Sequence, residues 1–156
     1  MNINENIINI FFIFIFIFNN TNFPATEISK LLIRIHYPAI LTINPISISA
    51  LHLNQWMQSK EEKPNLIDVR EELELSISQF PFPVIHIPMS CVSYDFVSAK
   101  LNFNASDKFV VLCHMGVRSY SFGQWLLDNN FVNQIWNLDE GIDGWSRYVD
   151  SDVIRY

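Results

Sequence analysis

Cys113 and Arg118, separated by His114, Met115, Gly116 and Val117, are the residues of this chain best placed to do chemistry. The apolar run Phe109-Val110-Val111-Leu112 precedes the cysteine and reads as a buried strand. Ser119-Tyr120-Ser121-Phe122-Gly123-Gln124-Trp125-Leu126-Leu127 follows the arginine and reads as an amphipathic helix opened by a serine. A cysteine at a strand end, a short loop with a glycine and then a helix start make a small cup of backbone N–H groups. Such a cup, reinforced by the positive end of the helix, holds an anion. Here the anion is the thiolate of Cys113 or a sulfur-loaded form of it. The placement favours the thiolate, which is the nucleophilic form of cysteine.

Loop length narrows that chemistry. Four residues stand between Cys113 and Arg118. A tight ring of amides suits a thiolate or a persulfide, whereas a phosphoryl group on sulfur needs a wider cradle, usually one residue longer. Each loop residue also has a plainer reading. Cys113 is either the nucleophile or a buried structural cysteine, and buried free cysteine is common; the loop context favours the nucleophile. Gly116 permits positive φ and close backbone approach, as any turn glycine does. Arg118 either contacts a bound oxyanion or ties the loop through its carbonyls. His114 and Met115 supply amides, with side chains at the pocket mouth, and an acid–base role for His114 is the lesser alternative.

The elements that must position this loop are legible in the rest of the chain. Strands are predicted near 46–48, 65–69, 84–88, 109–113 and 134–138, and helices near 50–60, 71–78, 92–102, 119–129 and 142–149. Such alternation predicts a parallel sheet with helices on both faces. Ligands bind at the carboxyl ends of strands in such sheets, and Cys113 stands at one. Asp68 and Arg70 end the second strand on the same edge.

Five blocks in order resemble the rhodanese family, whose sulfurtransferases carry sulfur as a cysteine persulfide. Ile48-Ser49-Ala50-Leu51-His52-Leu53-Asn54-Gln55-Trp56-Met57 is similar to the family's first strand and helix. Leu66-Ile67-Asp68-Val69-Arg70-Glu71 is similar to its Asp-Val-Arg signature, and Ile85-His86-Ile87-Pro88-Met89 to the strand that follows. The Cys113 loop comes next. Asn137-Leu138-Asp139-Glu140-Gly141-Ile142-Asp143-Gly144-Trp145 resembles the closing glycine–tryptophan block. The resemblance runs from about Ile48 to Tyr156 and implies a three-layer α/β/α sandwich around a five-stranded, mainly parallel sheet. It implies Cys113 as catalytic residue, His114, Met115, Gly116, Val117 and Arg118 as substrate-binding loop, and Asp68 and Arg70 as a brace beside it. It places Cys91 at a helix start away from the pocket, a bystander rather than a resolving thiol. Glu140 departs from the glycine usual in the family, sets a negative charge near the pocket rim and weighs against anionic thiosulfate. Trp56, Trp125, Trp136 and Trp145 are expected to pack the core.

Composition excludes other classes. Residues 1–46 carry Lys30 and Arg34 against Glu5 and Glu27, so the net charge of −6 belongs to the remainder. An acidic domain has no electrostatic footprint for nucleic acid and no basic cluster for anionic membranes. The two cysteines, Cys91 and Cys113, form no CxxC pair and no disulfide framework, which fits a reduced compartment. The histidines His36, His52, His86 and His114 have no zinc-site spacing, so no metal is expected.

Residues 1–45 read as a low-complexity segment and linker, and 46–156 as the domain. In residues 1–23 there are 7 Asn, 7 Ile and 6 Phe. The apolar run is too short for a bilayer, which needs about 20 residues, and no basic residue precedes it. A mis-started extension, an export or anchoring segment over residues 7–18, and a genuine domain element are the competing readings. A short helix and an extended linker are expected within 24–46.

The expected function is sulfur transfer through a persulfide on Cys113, with no cofactor. Expected partners are a small-molecule donor such as thiosulfate and a thiol, cyanide or protein acceptor, in the cytoplasm. A non-catalytic binding module of the same fold is the alternative. A phosphatase or arsenate reductase is disfavoured by loop length.

Overall fold

Every side chain of Phe109-Val110-Val111-Leu112 is buried, as a strand covered on both faces requires. The computed structural model of the protein describes residues 43–101, 107–132 and 134–156. The Asn/Ile/Phe run, and the helix and linker expected up to residue 42, lie outside them. Ile43–Tyr156 form one compact unit.

Its elements, in chain order, are β1 (Ile46–Ile48), α1 (Ala50–Gln58), β2 (Asn65–Asp68), α2 (Glu72–Ile77), β3 (Ile85–His86), a single 3-10 turn (Met89–Cys91), α3 (Tyr94–Lys100), β4 (Phe109–Leu112), α4 (Val117–Asp128), β5 (Trp136–Leu138) and α5 (Gly141–Tyr148). The strands form one sheet in the order β1-β5-β4-β2-β3, and every described pairing is parallel. β4 is central, with Val110 opposite Leu66 on one side and Trp136 on the other.

Alternation along the strands divides the core. Leu66, Val110, Leu112 and Leu138 join Ala50, Leu53, Ile142 and Trp145, from α1 and α5, on one face. Ile67, Val111 and Cys113 join Val97, Phe122 and Leu126, from α3 and α4, on the other. This is the three-layer α/β/α sandwich expected. Each fully buried aliphatic side chain contributes about 2 kcal/mol of transfer free energy. Trp145 is fully buried among them, whereas Trp56 and Trp136 meet edge to face at the cluster's border and Trp125 stacks on Phe131.

Two boundaries differ from expectation for local reasons. α4 starts at Val117, two residues before the predicted serine start, because Gly116 takes the left-handed conformation (φ 82°) and turns the chain directly into the helix. The helix expected near 92–102 is shorter, Tyr94–Lys100, because Ser93 caps it by accepting from the Phe96 N–H, and a 3-10 turn at Met89–Cys91 precedes it. Cys91 therefore lies in that turn, exposed. Among the described residues, no helix is long and apolar enough to cross a membrane.

Candidate active site

Cys113 leaves the carboxyl end of the central strand and sits against the N-terminus of α4. The Gly116 N–H donates to its Sγ at 3.1 Å and the Ser119 hydroxyl reaches Sγ at 3.3 Å. Both donors belong to the loop and first turn of α4, where N–H groups have no partner within the helix. The sulfur is nearly closed off, with Cys113 only 1% exposed.

A second helix N-terminus fixes the other side of the loop. The Ile142 N–H donates to the Cys113 carbonyl at 2.9 Å and the Asp143 N–H to the His114 carbonyl at 3.1 Å. The loop is thus held between two helix starts. α5 takes its carbonyls, and the Gly116 N–H turns toward the sulfur. The close approach needs Gly141, whose φ is +56° and where an added Cβ would lie 2.2 Å from the Cys113 carbonyl oxygen. Arg147 and Arg155 pair with Asp143 and anchor this turn of α5.

Arg118 reaches the neighbouring helix. Its guanidinium forms two bonds of 2.6 Å to the carboxylate of Glu74, from α2. Glu74 also accepts from the Glu71 N–H at 2.9 Å and from the Tyr156 hydroxyl at 3.0 Å, so both its oxygens are saturated. The Arg118 bond, supported by those donors, outweighs partial burial and holds the Glu74 carboxyl down at about 2. The same pairing raises Arg118.

Asp68 and Arg70 pair with each other. Both are fully buried. Arg70 Nη2 donates to Asp68 at 2.7 Å and its Nε to both carboxylate oxygens at 3.0 Å. Burial opposes the charge on Arg70, and the Asp68 carboxylate more than offsets it. Arg70 Nη1 continues to the Ser78 carbonyl and, at 3.2 Å, to the Tyr156 hydroxyl. The chain Asp68–Arg70–Tyr156–Glu74–Arg118 therefore links the end of β2 to the helix beside the sulfur.

The remaining loop residues divide. His114 stacks on Tyr156, with ring centroids 4.3 Å apart. Met115 and Val117 project outward, 59% and 73% exposed. Glu140 takes a left-handed φ of 58° at the turn before α5. Sequence reasoning missed Ser119 as a donor to sulfur, and missed Glu74 and Tyr156. A serine one position after the loop is a usable signal for the first, although by propensity it reads as a helix cap. Among the described residues no group of three or more His, Cys, Asp or Glu could hold a metal.

The arrangement can stabilise negative charge on one sulfur at a strand end. The rhodanese-like domain family model matches residues 50–148. Rhodanese-like/PpiC domain-containing protein 12, chloroplastic, of Arabidopsis thaliana is 30% identical over 115 residues, 73% of this chain and 38% of that protein. The adenylyltransferase and sulfurtransferase UBA4 of Debaryomyces hansenii is 28% identical over 71% of this chain and 25% of its own length. The chain thus spans well under half the length of these curated relatives. A rhodanese-like domain protein from Staphylococcus aureus superposes with a TM-score of 0.54 at 24% identity, covering 71% of this chain and 98% of that one; this shows the fold. With strand order, loop and family match in agreement over the same residues, the chain belongs to the rhodanese-like domain family.

Proposed function

We propose that this protein is a sulfurtransferase that carries sulfane sulfur on Cys113. The observation that carries the reading is the set of donors within reach of Sγ at the start of α4, the Gly116 N–H at 3.1 Å and the Ser119 hydroxyl, shared with the Gly116 carbonyl, at 3.3 Å. They stabilise a thiolate before reaction and a persulfide anion after it. With thiosulfate as donor, the thiolate attacks the sulfane sulfur. A Cys113 S–S bond forms, the donor's S–S bond breaks, and its electron pair leaves on sulfite. A thiolate or cyanide acceptor then attacks the outer sulfur, and the electron pair returns to Cys113. Neither half requires a cofactor. The relative named as a sulfurtransferase supports the class of reaction, and the four-residue spacing between Cys113 and Arg118 disfavours phosphoryl transfer. The reduced cysteines suit a cytoplasmic setting.

The near-complete burial of Cys113 favours a second reading, a non-catalytic binding module. Mass spectrometry separates the two. Incubation of the full chain with thiosulfate should add about 32 Da at Cys113, the mass of one sulfur atom at the first oxidised level of the thiol. Cys113→Ser should lose the adduct and the transfer to cyanide, while Cys91→Ser keeps both. An unmodified Cys113 and no transfer to cyanide by the wild type would establish the binding module.

A further inference from the structure

A depression of about 330 Å³ opens beside the Cys113 loop. Met115, Val117 and Tyr120 line it from the loop and α4, and Asn137, Asp139 and Glu140 from the end of β5 and the turn beyond. Gly116 also lines it, and the Gly116 N–H is the donor to the Cys113 sulfur. The depression therefore borders the loop residue whose N–H contacts that sulfur.

Three features of its lining are unexplained by the fold. Asn137 is only 3% exposed, yet its Oδ1 has no hydrogen-bond partner among the described residues, while its Nδ2 reaches Asp139 at 3.4 Å. A buried amide oxygen left unpaired is costly, which marks a place for a donor. Glu140 holds a left-handed backbone (φ 58°) that glycine adopts without strain, and so sets a carboxylate where the chain would more easily have none. It has one loose contact, 3.6 Å to Arg147, whose closer partner is Asp143. The same depression is lined by Met115, Val117 and Tyr120, which are 59%, 73% and 39% exposed.

Exposed apolar side chains beside a buried acceptor and two carboxylates, of which Asp139 also accepts from the Ser47 hydroxyl at 2.9 Å, are complementary to an alkyl stem ending in a cation. We propose that the depression docks a lysine or arginine side chain of an acceptor protein and so brings a neighbouring cysteine of that protein to Cys113. The net charge of −6 on the chain favours the approach of such a basic partner. The proposal rests on the sulfur-transfer reading for its chemistry. The partner's thiolate attacks the outer sulfur of the Cys113 persulfide and forms the new S–S bond. The old bond breaks with its electron pair on Cys113, and no net oxidation occurs.

The test uses the full chain and two short synthetic peptides that differ only in lysine or glutamine two residues from a cysteine. Docking is read first, by fluorescence anisotropy of labelled forms with serine in place of the cysteine, so that it does not depend on sulfur transfer. The lysine peptide should bind about tenfold tighter, the scale of two rim ion pairs. Asp139→Asn combined with Glu140→Gln should erase the preference, and Glu140→Gln alone, at an exposed side chain, should halve it or more if the pair of changes disturbs folding. Single-turnover transfer from the sulfur-loaded protein should then follow the same order. Equal binding of both peptides, or a preference that survives the substitutions, would overturn the proposal. Selective binding without transfer would uphold the docking site and overturn the sulfur-transfer reading instead.

Discussion

Arg118 and Glu74, 44 positions apart in the chain, form a two-bond ion pair at 2.6 Å on each arm. Parallel bonds of this kind are the strong form of the arginine–carboxylate contact. Here the pair joins α2 to the first turn of α4, so it locks the helix start that supplies donors to Cys113. The Tyr156 hydroxyl adds a third donor to the same carboxylate.

The pair makes stability depend on acid. Glu74 sits at about 2 in the folded protein against an ordinary 4.5, chiefly through Arg118. A carboxyl lowered on folding contributes stability that is present above its unfolded value and lost as pH falls toward its folded value. The contribution is on the order of 2–3 kcal/mol after allowance for partial exposure. Urea denaturation of the wild type should therefore weaken between about pH 4.5 and 2, and Glu74→Gln should be less stable at pH 7 and flatter across that window. A wild-type profile that Glu74→Gln merely copies would assign the acid loss to other groups.

Ser119 should act on the sulfur more than on the fold. Its hydroxyl reaches Sγ at 3.3 Å and the Gly116 carbonyl at 3.1 Å. Ser119→Ala fits the same space and removes one donor to a charged acceptor, so iodoacetamide should modify Cys113 about tenfold more slowly at pH 7. Stability should fall by about 1 kcal/mol. Cys91, which is exposed, must be replaced by serine in both proteins for the rate to be read cleanly. An unchanged rate would mean that the hydroxyl serves only the Gly116 carbonyl.

Gly141 should tolerate no side chain. An added Cβ would meet the Cys113 and His114 carbonyl oxygens at 2.2 and 2.4 Å, and both are backbone atoms that cannot swing aside. Gly141→Ala should cost more than about 3 kcal/mol, combining steric overlap with a positive φ. Because the loss falls on the contact between α5 and the loop, the variant should also lose sulfur loading at temperatures where it remains folded. Thermal unfolding and mass spectrometry on one sample check both, and a variant with wild-type midpoint would refute the packing argument.

The sequence by itself determined what local physics controls. The run Phe109–Leu112 carries no polar side chain and reads as a strand buried on both faces, which it is. The alternation of such runs with helical segments fixed the parallel α/β class, and Asp68 and Arg70, two residues apart, lie as close in the fold as in the chain. The glycine in the Cys113 loop was legible as the residue that would take positive φ. What surrounds the sulfur was decided by the tertiary structure. Ser119 reads as a helix cap by propensity, yet its hydroxyl turns to Sγ because Gly116 already starts the helix two residues earlier. Arg118 is claimed by Glu74 and Tyr156 joins the same carboxylate from 82 positions away. The loop carbonyls go to α5, whose N-terminus β5 carries to the loop. Charge, hydrogen bonding and close approach act over a few ångströms in space. No periodicity or spacing along the chain records which distant residues the fold brings within that range.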